Sequence, residues 1–394
     1  MISFNFNEIK KISLIMIFFF IPLYVNDIQS KKNDYSLYPI ERKSLYSNGK
    51  KILYISRHGG TISNFCYIAT NLGFNITVLE PIYNYRRKPN CYYTRNKCKS
   101  FVKSKCFEFD YIIISDIIPD SYIFLINKCD TKIILEITNR FDFGVPKFEK
   151  NIYYKTISKA KKRKNIIFIE NNPFEIYYLC DKNIFIQNYY LIRPIGLSPI
   201  SKINKKEIFL NKVAVINNWD QGKILGPILK KLNISFNILE SKYGGPLTLT
   251  NYKAIIHIPY QVSVMKMMEN FRYGIPMIIP TERLLREILD NNKNIINYRW
   301  IKMALNIKNG IKNYIEFYND EFKELFIYFD NFEDLPNIIE ITNFKDLSLK
   351  EKEFMKNYEN KMVKIWSEAL DILPKKESLI SDKKPLCNKI SIND

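Results

Sequence analysis

The chain has 394 residues, 46% of them hydrophobic, with 27 Tyr and 27 Phe, so it is long enough for two or three domains and too apolar to be disordered throughout. Its formal net charge of +20 comes from lysines scattered through every segment, alongside abundant Ile and Asn. No arginine-rich stripe or aromatic RNA-binding motif accompanies that charge, so nucleic acid is not expected as a partner.

In chain order, Lys10 and Lys11 precede the charge-free run ISLIMIFFFIPLYV, residues 12 to 25. That length is short for a membrane span and suits a signal-peptide core, but no Ala-x-Ala cleavage site follows. Residues 1–26 are therefore expected to be a signal peptide or a signal anchor helix. Either form leads into the secretory pathway: a single-pass type II protein of the endoplasmic reticulum or Golgi membrane facing the lumen, or a secreted protein if the signal is cleaved. Residues 27–49 are polar and turn-rich and read as a stem. Seven cysteines fit this route, and Cys91, Cys98 and Cys106 cluster in CYYTRNKCKSFVKSKC, a group able to hold one disulfide.

Apolar runs of strand length then recur near 51 to 56, 76 to 79, 111 to 115, 132 to 137, 166 to 169 and 184 to 187, with helical stretches between them. Continuous apolar runs, as opposed to alternation, indicate strands buried on both faces of a parallel sheet. LIRPIGLSPISKINKKE (191 to 207) interrupts the pattern with two prolines and a glycine and reads as a linker. The runs restart at 213 to 217, 236 to 239, 253 to 258, 276 to 280 and 325 to 330. The fold class expected is α/β, with two tandem Rossmann-like domains facing each other across a cleft: 50–196 and 197–348. Residues 349–373 carry Phe354, Tyr358, Met362, Trp366 and Leu370 at helical spacing, and 374–394 read as a tail.

In open parallel sheets, ligands bind at the carboxyl ends of strands, where helix N-termini offer free N–H groups. Four stretches fall there. KILYISRHGGTISN (51 to 64) delivers Arg57, His58, Gly59 and Gly60, in a chain with only two histidines and twelve glycines. The Gly-Gly turn allows close approach of a ligand, and His58 is placed as a base or hydrogen-bond donor. In HIPYQVSVMKMMENFRYGIPMIIP (257 to 280), His257 ends a strand and a helix is expected from Gln261 to about Tyr273, with Glu269 two turns from Gln261 on the same face. A glutamate packed under a strand needs a partner, and a ribose diol is one. NNWDQGKILGPILKK places Gly222 and Lys223 at a helix start, and SKYGGPLTLTNY places Tyr243 to Pro246 on a loop before a strand. Asp116, Glu136, Asn139 and Arg140 also fall at strand ends of the first unit.

Glu269, Gly274 and Pro276 carry a resemblance. In retaining glycosyltransferases of the GT-B fold, a helix bears two glutamates separated by seven residues, and Gly and Pro follow the second at plus five and plus seven. Gln261 stands in place of the first glutamate here. The resemblance covers about residues 50 to 372, and the Trp366 helix looks like the C-terminal crossing helix of that fold. It implies a glycosyltransferase moving a sugar from a UDP- or GDP-linked donor to a glycan, protein or lipid acceptor. Glu269 would hold the donor ribose, Lys223 the diphosphate, and His257 the phosphate or donor sugar. Tyr243 would lie over the base and Gly274 would close the binding helix. His58 and Gln261 are the catalytic candidates, with Gly59 and Gly60 forming the opposite wall. The Gln261 substitution and a missing arginine near 218 leave open a catalytically inactive binding subunit. A sugar-nucleotide epimerase of the same fold stays open too, and would need acid and base carboxylates in the cleft. No Asp-x-Asp pair occurs, so neither a metal nor another cofactor is expected.

Overall fold

The computed structural model describes residues 25–26, 49–79, 95–127, 129–197, 209–240, 243–296, 298–374 and 378–381. Most of the expected signal segment and stem, the second half of the linker, Cys91 and most of the tail lie outside these residues. Among the described residues, no helix is long and apolar enough to cross a membrane.

Two sheets, each flanked by helices, make an α/β fold. The first sheet is built from β1 (Val25–Asn26), β2 (Lys51–Ile55), β3 (Asn75–Leu79), β4 (Tyr111–Ser115), β5 (Lys132–Ile137), β6 (Ile166–Glu170) and β7 (Asn188–Leu191). Helices α1 (Gly59–Asn71), α2 (Arg95–Glu108), α3 (Lys150–Ala160) and α4 (Pro173–Asp181) make its crossovers. The second sheet holds β8 (Phe209–Ile216), β9 (Phe236–Leu239), β10 (Tyr252–Ile256), β11 (Met277–Pro280) and β12 (Phe326–Phe329), with α5 (Gln221–Lys231) and α6 (Met265–Tyr273) among its helices. The long α7 (Phe344–Ala369) follows, and β13 (Leu379–Ser381) closes the described chain.

Strand order is β1-β3-β2-β4-β5-β6-β7-β13 in the first sheet and β12-β11-β10-β8-β9 in the second. The six inner strands of the first sheet and all five of the second run parallel. This explains their unbroken apolar runs: Ile112, Ile113, Ile114 on β4 and Ile133, Ile134, Leu135 on β5 are all fully buried, so neither face tolerates a polar residue.

The structure moves three expected elements. The strand expected at 184 to 187 forms at Asn188–Leu191, because Asn183 adopts a left-handed conformation at the end of α4 and the Ile184 N–H is used by the Leu179 carbonyl. The tail is not wholly loose, since Leu379–Ser381 pairs antiparallel with β7 after Ser378 bonds Glu368 through both N and Oγ. Cys106 pairs with Cys129, not with a member of its own cluster, and joins α2 to the loop before β5.

Helix α7 belongs to both units. Its N-terminal half packs on α6, while Trp366 meets Phe65 of α1 edge-on at 4.9 Å and the Leu370 carbonyl accepts from Tyr111 Oη at 2.7 Å. The crossing between units at 192 to 197 is held by Asn64, whose Oδ1 accepts from Ile195 N at 2.8 Å and whose Nδ2 donates to the Leu197 carbonyl at 2.7 Å. Gly196 has φ +75°, and a Cβ there would stand 2.3 Å from the Met268 carbonyl oxygen. Gly196→Ala combines left-handed strain with a clash against α6 backbone, and a loss of about 3 kcal/mol in urea unfolding is expected; a loss under ~1 kcal/mol would show that the crossing relaxes freely.

Candidate functional site

The carboxyl edge of the first sheet concentrates charge. Register aligns Ser115 with Glu136 and Ile137 with Glu170, so β4, β5 and β6 end side by side next to the Arg57–His58 turn after β2. Glu136 accepts a hydrogen bond from Tyr54 Oη at 2.8 Å, and burial pushes its carboxyl up to about 7. Arg57 pairs with Asp120 at 2.8 Å; burial raises the Asp120 carboxyl to about 6 against that pull. Asp116, in the left-handed conformation at φ 65°, is raised by burial while His58 and Arg57 draw it down. Each of these carboxylates would cost more to bury without its partner. Glu170 is fully buried with neither oxygen bonded among the described residues, and burial, with the Glu175 charge, raises its carboxyl well above the ordinary value.

His58 caps α1. Its Nδ1 accepts from Thr61 N at 3.3 Å, its carbonyl accepts from Thr61 Oγ1 at 2.9 Å, and its N–H donates to Ser56 Oγ at 3.2 Å. With Nδ1 accepting, the neutral ring carries its proton on Nε2, so this exposed histidine presents a donor and not a base. Gly59 is exposed beside it. Gly60 is explained by packing, since a Cβ there would stand 3.0 Å from Met265 at the start of α6. The opening turn of the first unit thus abuts the N-terminus of the helix that carries Glu269. A small pocket, partly open to solvent, lies at this junction, lined by Thr61, Glu136, Thr138, Asn171, Arg193 and Met265.

On the other side, several expectations change. Helix α6 starts at Met265, because Pro259 and the extended Val264 keep the preceding loop out of helical conformation. Gln261 is therefore a half-exposed loop residue that does not share a helix face with Glu269. Glu269 is buried but already partnered, by Lys266 one turn earlier. Lys266 also lies 5.5 Å from the Tyr243 ring centroid, which brings Tyr243 near Glu269. His257 is buried between Phe317 and Tyr260, at 5.3 and 5.7 Å between ring centroids, and burial lowers it to about 3. The ring is therefore neutral, and its Nε2 is buried with no hydrogen-bond partner among the described residues. Lys223 is 65% exposed and paired with Asp220 at 2.8 Å, and the neighbouring Gly222 N–H is used by Asn217 Oδ1 at 3.0 Å. Gly274 ends α6 in a left-handed conformation against Ser348 of α7, where a Cβ would stand 2.3 Å from Ser348 Oγ; capping and close packing account for this glycine.

Of the first-unit candidates, Asp116 and Glu136 join the site. Asn139 turns to its neighbour's backbone, accepting from Arg140 N at 2.8 Å; Arg140 pairs through Nη2 with Glu175 at 2.5 Å between the Phe174 and Trp300 rings, while its Nε and Nη1 are buried with no hydrogen-bond partner among the described residues. Sequence reasoning missed Lys266, Asp120, Tyr54, Arg193 and Glu170. Lys266 stands at i−3 from Glu269, a spacing that signals an ion pair on any helix. Trp219, 65% exposed and left-handed at φ 54°, was also missed; its ring lies 6.3 Å from Tyr260 at the carboxyl edge of the second sheet.

Two parallel sheets in tandem, joined at a glycine-bearing crossing and spanned by one returning helix, meet at this site. The fold is GT-B-like. No protein-family model and no curated protein matches the chain. Among solved structures it is similar to the glycosyltransferase SnogD from Streptomyces nogalater, at 10% identity over 80% of this chain and 99% of that one, with a TM-score of 0.42. It is also similar to CalG4, the calicheamicin glycosyltransferase, at 7% identity over 82% of this chain and 98% of that one, with a TM-score of 0.36. Likenesses this distant carry no argument about activity, and the functional reading rests on the geometry of this chain.

Proposed function

We propose that the chain is a glycosyltransferase whose donor, a nucleotide sugar, binds at the carboxyl edge of the second sheet and whose acceptor enters from the first. The observation that carries this reading is Glu136, a buried carboxylate that lines the pocket and accepts from Tyr54 Oη at 2.8 Å; burial pushes its carboxyl up to about 7. A base poised there takes the proton of an acceptor hydroxyl as its oxygen attacks the anomeric carbon. The bond from that carbon to the diphosphate oxygen breaks, and the electron pair leaves with the diphosphate. Single displacement of this kind inverts the anomeric centre, in contrast to the retaining enzymes whose motif Glu269, Gly274 and Pro276 resemble. His58 Nε2–H and the free N–H groups at the start of α6 are the donors available to the growing negative charge. Glu269 accepts the ribose hydroxyls in place of, or together with, Lys266, and Tyr243 and Trp219 supply aromatic surface for the base.

Glu269→Ala is expected to weaken donor binding more than about tenfold in calorimetry with a panel of UDP- and GDP-sugars, through the loss of charge-assisted hydrogen bonds. The fold should hold, because Lys266 is partly exposed and regains water. Unchanged donor affinity would remove the ribose assignment, and a panel in which nothing binds would remove the enzyme reading altogether.

The carboxylate group Asp116, Asp120 and Glu136 favours a second reading, a sugar-nucleotide epimerase, in which one carboxyl removes a proton from carbon and another returns it. Incubation of the bound nucleotide sugar in deuterated water without acceptor separates the two. Deuterium on a ring carbon supports epimerisation, and transfer only upon acceptor addition supports the first reading.

A further inference from the structure

The segment from Phe143 to Asn165 has a face that the fold does not use. Within it, Tyr153, Ile157 and Ala160 of α3 are buried against the sheet, while Phe148 is 77% exposed, Ile152 60% and Phe143 49%. Ile152, Lys155 and Lys159 are spaced as successive turns of one stripe, and the exposed Phe148 and Lys162 prolong it at either end. The segment contains eight basic residues (Lys147, Lys150, Lys155, Lys159, Lys161, Lys162, Arg163 and Lys164) against one acidic residue, Glu149. Lys150 is used by Asp142 at 2.6 Å and Lys161 by the Phe185 carbonyl at 2.7 Å. Lys147, Lys155, Lys159, Lys162 and Lys164 form no ion pair among the described residues, so their charge is uncompensated at the surface.

We propose that this face docks on an anionic lipid surface. Large apolar side chains at one end of a helix and a lysine stripe continuing from them are what a helix lying in the membrane interface requires: rings and branched chains enter the acyl boundary while ammonium groups stay among the headgroups. A polyanion without an apolar layer would satisfy the lysines and leave Phe148 and Ile152 in water, so lipid is favoured over nucleic acid. The face also has a position relative to the cleft. The loop that presents Phe143 and Phe148 leaves the end of β5, two residues after which Asn139 follows Glu136's strand, so docking brings the membrane to the sheet edge that carries the buried carboxylates. The inference itself does not depend on the activity proposed above.

Flotation of the full chain with vesicles tests it, using phosphatidylcholine alone and phosphatidylcholine mixed with phosphatidylserine. Binding is expected to be tighter to the mixed vesicles than to phosphatidylcholine alone, whatever the apolar segment at 12 to 25 adds to both, and the difference is expected to fall as salt rises. Lys155→Ala/Lys159→Ala/Lys162→Ala should reduce it more than about tenfold, and Phe148→Ser/Ile152→Ser about tenfold, with melting temperatures unchanged because the side chains are exposed. If both variants float like the parent, another part of the chain carries the binding and the proposal fails. If the lysine variant is lost while Phe148→Ser/Ile152→Ser binds like the parent, the contact is purely ionic and lipid insertion is overturned in favour of a soluble polyanion. No binding of the parent chain overturns it as well.

Discussion

Glu136→Gln is expected to stabilise the protein at pH 8 and leave its stability nearly unchanged at pH 4, while abolishing turnover. Burial, opposed by the Tyr54 hydrogen bond, lifts the Glu136 carboxyl from 4.5 to about 7 in the folded chain. A carboxyl whose folded value is raised contributes its stability below the unfolded value and loses it as pH rises through the folded one. Below 4.5 both states carry the protonated acid, and glutamine is its near-isostere that still accepts from Tyr54. Between 4.5 and 7 the unfolded chain gains by ionising and the folded chain does not. The shift is worth about 3 kcal/mol once pH exceeds 7, at ~1.4 kcal/mol per pH unit. The glutamine variant avoids that loss, so urea unfolding should show a gap that is small at pH 4 and grows to about 3 kcal/mol at pH 8. A base that cannot ionise cannot take the acceptor proton, and kcat should fall on the order of 10²–10⁴-fold. A variant destabilised equally at both pH values would show that the carboxyl is ionised and well solvated, and would remove it as the base.

The two effects of that substitution oppose each other, as expected where stability is given up at a working site. The same logic ranks the cleft carboxylates. Asp120 is tied to Arg57 by an ion pair at 2.8 Å, so it is better suited to orienting the turn that carries His58 than to moving a proton. Glu170, buried and unbonded, has no such tie, but it does not line the pocket.

The fold was legible because burial on both faces of a parallel strand leaves a one-dimensional mark: Ile112 to Ile114 and Ile133 to Leu135 cannot be mistaken for a helix stripe. Element ends were less legible where a single residue decided them. Asn183 moved a strand by several residues through one left-handed φ, and Pro259 with Val264 delayed α6 and removed Gln261 from it. The site was legible only as a location. Glycines at 60, 196 and 274 stand out in a glycine-poor chain, yet each is required by a neighbour distant in sequence: Met265, Met268 and Ser348. Likewise the Glu136 carboxyl depends on Tyr54, 82 residues away, and such pairings leave no local trace. His257 shows the converse, a polar residue at a strand end whose surroundings, Phe317 and Tyr260, make it part of the core.

Glu359→Ala is expected to cost about 3–5 kcal/mol, because it removes one partner of a buried pair and leaves the other uncompensated. Glu359 on α7 accepts from Tyr67 Oη of α1 at 2.7 Å and from Arg272 of α6 at 2.5 Å. Arg272 is 1% exposed; it also donates to the Ile195 carbonyl at 3.1 Å in the crossing segment and lies 5.8 Å from the Tyr67 ring centroid. One carboxylate therefore fixes the first unit's opening helix, the second unit's Glu269 helix and the strand-to-strand crossing against one another. Tyr67→Phe removes a single hydrogen bond at the same place and should cost only about 1 kcal/mol. The contrast between the two separates loss of a contact from exposure of a buried guanidinium to no counter-charge. Equal small losses would mean that water reaches Arg272. If the pair does set the spacing of the two walls, Tyr67→Phe, which folds normally, should still raise the donor KM more than it changes donor-independent stability, since α1 and α6 meet at Gly60 and Met265 one turn from His58.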